Sequence, residues 1–194
     1  MPPWGAAALS GLGLVFLITS ARAADELPVG ASYHLFGGFS LGRGIRFNNP
    51  YRLRTELGHD AESLSLTAPY ADLSLGATVG DAGVFSHGIT AHVSFALGGV
   101  PQEVVTPSYV LFVRPTPRFG LLARVGIPIV VQPDLNAGFE AAAGGIFYVT
   151  AAVGVTASLV GSLFYGAATL DSSRTTIPVL SLEGGLIYDF EVLP

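Results

Sequence analysis

His92 and Ser94 are the residues best suited to chemistry, because an imidazole and a hydroxyl stand two positions apart in the stretch ITAHVSFA. In an extended strand, residues at this spacing share one face. The imidazole could then take the hydroxyl proton and leave a nucleophilic oxygen, which makes the pair a candidate catalytic site. Two-residue spacing of His and Ser is also common by chance, so a structural role is the alternative.

A second group of ionisable residues alternates with apolar residues in stretches of the same kind. Its members are Asp72, His92, Arg114, Arg124, Glu140 and Glu183. An isolated ion in a low-dielectric interior is costly, so these residues are expected to pair. Arg124 and Glu140 flank one predicted loop at similar distances, which predicts a cross-strand ion pair between them. For Glu183, the expected partner is Arg124 or Arg114. We expect these ion pairs to fill the interior of the protein, with a catalytic or gating role as the alternative.

The only basic cluster surrounds the stretch FNNPYRLRTELGHD and consists of Arg43, Arg46, Arg52 and Arg54. If this stretch is a loop outside the cell, its guanidinium groups could bind the phosphates of lipopolysaccharide with two hydrogen bonds each. The alternative is an ordinary solvated loop, because acidic residues follow at once. A glycine-rich phosphate loop, a metal-ligand cluster and a carboxylate dyad are all lacking in the sequence, so neither cofactor nor metal is expected.

Composition narrows the class of protein. The 194 residues are 50% hydrophobic and only 12% charged, which is low for a soluble globular chain. The formal net charge is −5 and there is no basic tract, so nucleic acid is not an expected partner. The chain contains no cysteine, which excludes disulfides, thiolate metal sites and cysteine nucleophiles.

The first 23 residues, MPPWGAAALSGLGLVFLITSARA, have the layout of a secretory signal peptide. An apolar stretch is followed by the small-x-small sequence Ala21-Arg22-Ala23, which predicts cleavage after Ala23. An uncleaved membrane anchor would need about 20 apolar residues, more than this stretch supplies. We therefore predict a signal peptide over 1–23 and one domain over 24–194.

Period-two alternation dominates the rest of the chain and predicts β-strands. The predicted strands are 31–41, 69–80, 86–97, 106–115, 118–128, 136–148, 152–164 and 177–192. Most have the length of a tilted strand that crosses a bilayer, which needs roughly 9 to 11 residues. The connections between them alternate between long and short. This predicts an antiparallel meander with tight turns at one end and larger loops at the other.

One face of these strands is apolar and uncharged, and the other is polar with few charges. A soluble barrel or sandwich would also have an apolar face, turned inward. Lipid is favoured because the polar face is too poor in charge for a water-facing exterior. The long strands, the alternating loops and the aromatic residues near both ends of the apolar face point the same way. The predicted fold is an all-β, eight-stranded, antiparallel, up-and-down transmembrane β-barrel.

The arrangement of strands and loops, together with the last strand, resembles that of the small eight-stranded outer-membrane barrels of Gram-negative bacteria. This class includes the OmpA membrane domain and OmpX. Leu186, Tyr188, Phe190 and Val192 supply the alternating final strand of that class, although the chain ends in Leu193-Pro194 rather than an aromatic residue. The resemblance implies a location in the outer membrane and recognition by the barrel-assembly machinery.

The stretch around His92 is also similar to outer-membrane lipid A deacylases of the PagL type, which have a His-x-Ser pair and a Glu. Here Phe95 replaces the Asn that follows Ser in that family, and both candidate residues share the predicted inward face. Enzymes that act on lipid need a site open to the bilayer, and the sequence places no acidic partner clearly beside the pair, so it departs from the family in three respects.

These observations leave three functional hypotheses. The leading one is a non-enzymatic outer-membrane barrel with a plugged lumen and a structural or surface-interaction role. The alternatives are a lipid-modifying enzyme that uses His92 and Ser94, and a narrow channel or carrier for small hydrophobic compounds. The expected partners are outer-membrane lipid, lipopolysaccharide and the assembly machinery, and the expected oligomeric state is a monomer.

Overall fold

The computed structural model describes residues 31–47, 64–81, 84–133, 135–165 and 176–192. The predicted signal peptide, Arg52 and Arg54 lie outside these residues. The strands are β1 (Ala31–Phe47), β2 (Leu64–Leu66), β3 (Tyr70–Asp81), β4 (Phe85–Ala96), β5 (Glu103–Thr116), β6 (Phe119–Gly126), β7 (Ile129–Gln132), β8 (Asn136–Tyr148), β9 (Val153–Tyr165) and β10 (Thr176–Val192).

The strands form one closed antiparallel barrel. Each long strand pairs with its neighbour in the chain, and β10 returns to β1, with pairs from Tyr33 and Val192 to Arg46 and Val179. Strands β6 and β7 are two segments of one wall strand, since both lie between β5 and β8. The short β2 extends the line of β3 along β1. Eight strands therefore close the wall, which confirms the predicted fold class.

The interruption between β6 and β7 coincides with Pro128, which has no N–H to donate to a ladder. Backbone bonds nevertheless continue across it. The Ile127 N–H donates to Pro107 O at 3.1 Å, and the Gly138 N–H donates to Pro128 O at 2.9 Å. The wall is therefore bonded through the break.

Strand β1 is longer than predicted, because it ends at Phe47 rather than at residue 41. The stretch after Leu41 is rich in Gly and Arg and was expected to belong to a loop. In the structure Gly42 and Gly44 face inward, where a Cβ at Gly42 would lie 2.6 Å from the Tyr70 hydroxyl and one at Gly44 would lie 3.0 Å from Leu180 O. Glycine is therefore required by the close approach of β3 and β10, and it does not end the strand.

The apolar face points outward. Leu75, Ile89 and Leu121 are 56%, 70% and 46% exposed on the outer surface of the barrel. Polar residues of the opposite register, including Asp72, Ser181 and Arg124, are buried inside. Because a water-facing exterior would show the reverse arrangement, this is a transmembrane barrel.

The two ends of the barrel differ. We call the end with the tight connections 82–84, 117–118 and 149–152 the turn rim, and both Ala31 and Val192 lie there. The opposite end, with the connections 48–63, 97–102, 133–135 and 166–175, is the loop rim. This is the predicted alternation. Within the described ranges, no helix has the length and hydropathy needed to cross a membrane.

Candidate functional site

The lumen is the candidate site, because it gathers the buried charges and the buried apolar residues in separate layers. The apolar layer, here called the plug, consists of Phe36, Val110, Phe112, Leu122, Ile146, Tyr148 and Ile187. These side chains come from β1, β5, β6, β8 and β10, so they meet across the bore and not along one wall. Charged clusters lie on both sides of the plug.

Two aromatic rings form the centre of the plug. Phe36 and Phe112 pack edge to face, with ring centroids 5.1 Å apart and planes at 75°. Ile146 has no exposed surface, and Val110 is 2% exposed. Gly76 is paired with Phe36 on the adjacent strand β3, and a Cβ there would lie 2.8 Å from Cε1 of the Phe36 ring, so this glycine makes room for the ring. Side chains from opposite walls of the barrel therefore meet at this level.

The turn-rim cluster joins three side chains around one carboxylate. Asp189 accepts hydrogen bonds from Arg114 and from the Tyr148 hydroxyl, the latter at 3.1 Å, and its Oδ1 lies 2.9 Å from His34 Nδ1. The Arg114 guanidinium also lies over the Tyr148 ring, 4.3 Å from its centroid. Asp189 lies near the end of β10, where the sequence alone predicts a carboxylate in contact with water. Its side chain is instead 10% exposed, because Arg114 reaches it from β5 across the bore.

The mid-lumen cluster is centred on Arg124, whose side chain is 5% exposed. Its Nη1 lies 2.9 Å from Glu140 Oε1, and its Nη2 lies 3.5 Å from Glu183 Oε2. Arg124 pairs in register with Ala142, so Glu140 is reached diagonally along β8. Tyr70 donates to Glu183 at 3.0 Å, and Ser162 donates to Glu140 at 2.9 Å. One guanidinium thus lies between two carboxylates, and each carboxylate has a further hydroxyl donor.

His92 and Ser94 both bind Asp72. His92 Nδ1 lies 2.9 Å from Asp72 Oδ1, and the Ser94 hydroxyl donates to Asp72 Oδ2 at 2.7 Å. An acidic partner for the pair could not be assigned from the sequence, and the structure supplies one from β3. The hydroxyl proton is directed to the carboxylate and not to the imidazole. This differs from a nucleophile and base pair, in which the imidazole accepts the hydroxyl proton.

The space left in the lumen is small. A cavity of about 60 Å³ lies between the plug and the mid-lumen cluster, with Asp72, Thr90 and Glu183 among its lining residues. A second, of about 30 Å³, lies at the turn rim beside His34 and Arg114. Cavities of this volume have room for a few water molecules.

The basic cluster predicted for the first loop is divided by the fold. Arg43 and Arg46 lie on β1 and, three positions apart, occupy opposite faces: Arg43 is exposed outside and Arg46 is on the luminal face. Arg52 and Arg54 lie outside the described residues. The described part of β1 therefore does not present a contiguous patch of four arginines.

Several luminal residues were not among the predicted site residues: His34, Phe36, Tyr70, Phe112 and Tyr148. The signal for the aromatic ones was present, since a large ring on an otherwise polar and small-residue face must fill space on the inside of the wall. What could not be deduced from one strand is which of these rings lie at the same height in the barrel.

The fold defines the class: an eight-stranded transmembrane β-barrel, with buried apolar side chains from several of its strands in contact inside it. No family model matches the sequence, and no curated protein matches it. Similar solved structures include Neisserial surface protein A, with 10% identity, a TM-score of 0.47 and coverage of 83% of this chain and 99% of that chain.

Two further structures are similar in the same way. The attachment invasion locus protein Ail of Yersinia pestis has 13% identity and a TM-score of 0.44, with 83% of this chain and 99% of that chain covered. The outer membrane protein OprG from Pseudomonas aeruginosa has 15% identity and a TM-score of 0.37, with 83% and 96% covered. At these identities, none of them assigns a function to this chain.

Proposed function

We propose that this chain is an exported outer-membrane protein, with a signal peptide removed after Ala23, and that its barrel is a closed scaffold. Its role is structural or is carried out by its surface, and it is neither an open pore nor an enzyme. The observation that carries this proposal is the plug, which fills the bore between two charged clusters.

The layering of the lumen speaks against passage of solutes. A polar solute would have to cross the apolar residues around Phe36 and Phe112, where it loses hydration without gaining hydrogen bonds. A hydrophobic compound would instead have to pass the ion pairs of Arg124 and Asp189. The apolar layer opposes polar solutes, and the ion pairs oppose hydrophobic compounds. The closed scaffold is therefore favoured over the narrow channel or carrier.

The geometry at Asp72 speaks against lipid hydrolysis. The Ser94 hydroxyl is hydrogen-bonded to a carboxylate inside the wall, where a bilayer lipid has no access. His92, Ser94 and Asp72 are more simply explained as a satisfied polar network that links β3 to β4.

The partners proposed for the chain follow from its surface. Outer-membrane lipid would cover the apolar exterior, and the alternating last strand would be recognised by the barrel-assembly machinery. Pairing of β1 with β10 leaves neither of these two strands with a free edge, which favours a monomer.

Location and closure can be tested with one preparation. Cells that produce the full chain are separated into periplasmic, inner-membrane and outer-membrane fractions, and the protein is examined by gel electrophoresis with and without heating. We expect an outer-membrane band whose mobility changes on heating, and no single-channel steps in planar bilayers. A soluble periplasmic protein without a mobility shift would contradict the proposed location, and regular conductance steps would contradict the closed lumen.

A further inference from the structure

Arg43 is a charged residue on the lipid-facing surface. It occupies an outward position of β1 near the loop rim and is exposed. The neighbouring outward positions on the same strand are Leu41 and Ile45, which are 52% and 41% exposed. A cation in this place needs a counter-ion, since charge is unfavourable wherever lipid replaces water.

The surface around Arg43 is apolar on the adjoining strands as well. Across the barrel seam, Arg43 pairs in register with Leu182 of β10, which is 66% exposed. One step further along β1, Ile45 stands between Leu180 of β10 and Leu66 of β2. We call this surface, made of Leu41, Arg43, Ile45, Leu66, Leu180 and Leu182, the seam patch.

The guanidinium is oriented by the backbone. The Arg43 Nε–H donates to Thr67 O at 3.3 Å, and Thr67 is itself fixed, since its hydroxyl accepts from the Gly44 N–H at 2.8 Å. The hydrogen bond to Thr67 O uses Nε, and among the described residues no carboxylate pairs with either Nη group of Arg43. Two parallel N–H donors match two oxygens of a phosphate.

We propose that the seam patch binds a phosphorylated glycolipid of the outer leaflet. A phosphomonoester of its sugar headgroup accepts hydrogen bonds from the Nη groups of Arg43, and its acyl chains lie along Leu41 and Leu182. This inference rests on the proposed outer-membrane location, because the loop rim would then face the outer leaflet. A zwitterionic phospholipid fits less well, since its phosphate already has a cation in the same molecule.

The test is lipid binding by the purified, folded barrel in detergent micelles, measured by native mass spectrometry with diphosphoryl lipid A as the probe. We expect Arg43→Gln to weaken lipid A binding by roughly tenfold or more, the loss typical of a charge-assisted hydrogen bond. Arg118→Gln is the matched control, because Arg118 is also exposed but lies in a tight connection at the turn rim. This control is expected to bind as the unaltered protein does.

Folding of each variant is checked by the heat-dependent mobility shift. If Arg43→Gln fails to fold, Arg43→Lys is used instead. It keeps the positive charge but loses the bidentate guanidinium donor, so this variant is expected to bind lipid A less tightly than the unaltered protein. Equal binding by the Arg43 variants and the unaltered protein, or no lipid A binding at all, would overturn the inference. The inference would also be overturned if inorganic phosphate displaced lipid A, or if phosphatidylglycerol bound as tightly as lipid A and its binding depended on Arg43 in the same way. A barrel that fractionates with the outer membrane and binds no lipid A contradicts this inference alone.

Discussion

Phe36 of β1 and Phe112 of β5 meet edge to face inside the barrel, with their ring centroids 5.1 Å apart. The two strands are not neighbours in the wall, since β3 and β4 lie between them. The contact therefore spans the bore. It lies between the mid-lumen cluster around Arg124 and the turn-rim cluster around Asp189, and the proposed closure of the lumen depends on it.

Removal of both rings should open the lumen. In Phe36→Ala/Phe112→Ala, the centre of the plug is lost and water can join the two small cavities. We expect single-channel steps in planar bilayers from the double variant and none from the unaltered protein. Phe39→Ala is the control, because it removes a ring of the same size from the outer surface, where Phe39 is 44% exposed. A silent double variant that is folded would show that the plug does not limit passage.

Arg124 should be the most sensitive charge in the lumen. Arg124→Met leaves Glu140 and Glu183 buried without their shared cation, which typically costs about 3 to 5 kcal/mol. Urea unfolding in lipid vesicles measures this free energy. Arg118→Met, at an exposed connection, is expected to stay within about 0.5 kcal/mol of the unaltered protein. A similar small change for Arg124→Met would mean that the ion pairs do not stabilise the barrel.

The outer surface should penalise charge according to its depth in the bilayer. Leu75 lies midway along β3 and is 56% exposed, so Leu75→Arg should destabilise the folded barrel in vesicles by about 2 to 4 kcal/mol. Leu135 lies in a connection at the loop rim, and Leu135→Arg should cost only about 0 to 1 kcal/mol. Equal and negligible costs at both positions would indicate that the β3 face is in contact with water.

Production of the protein should leave lipid A unchanged. If His92, Ser94 and Asp72 form only a structural network, cells with the unaltered chain and cells with Ser94→Ala yield the same lipid A by mass spectrometry. Loss of an ester-linked acyl chain with the unaltered protein, abolished by His92→Ala or Ser94→Ala, would instead establish the deacylase hypothesis.

Much of the barrel could be predicted because its physical constraint is local. Outward residues such as Leu35 alternate with inward residues such as Phe36 within a single strand. This pattern indicates where each strand lies and which of its faces points outward. The end of β1 could not be predicted in this way. Gly42 and Gly44 are typical of loops, and only the proximity of Tyr70 and Ser181 explains why glycine continues the strand there.

The interior was less predictable, because it depends on how far the strands are displaced along one another. The neighbouring positions of Arg124 and Glu140 follow from their distances to one loop. Asp189 illustrates the limit: its place near a strand end indicated solvent, whereas Arg114 and Tyr148 reach it from strands that are distant in sequence. Which residues share a height follows only from the register around the whole barrel.

The central claim, that the apolar face meets lipid and the other face a sealed lumen, can be tested on two adjacent residues of β10. Leu186 is 41% exposed and Ile187 is 6% exposed, and the chain has no native cysteine. Single variants Leu186→Cys and Ile187→Cys are spin-labelled in vesicles, and collision with oxygen, which concentrates in lipid, is compared with collision with a water-soluble nickel chelate. We predict frequent oxygen and rare nickel collisions at residue 186, and few of either at residue 187. Frequent nickel collisions at residue 186 would contradict the account.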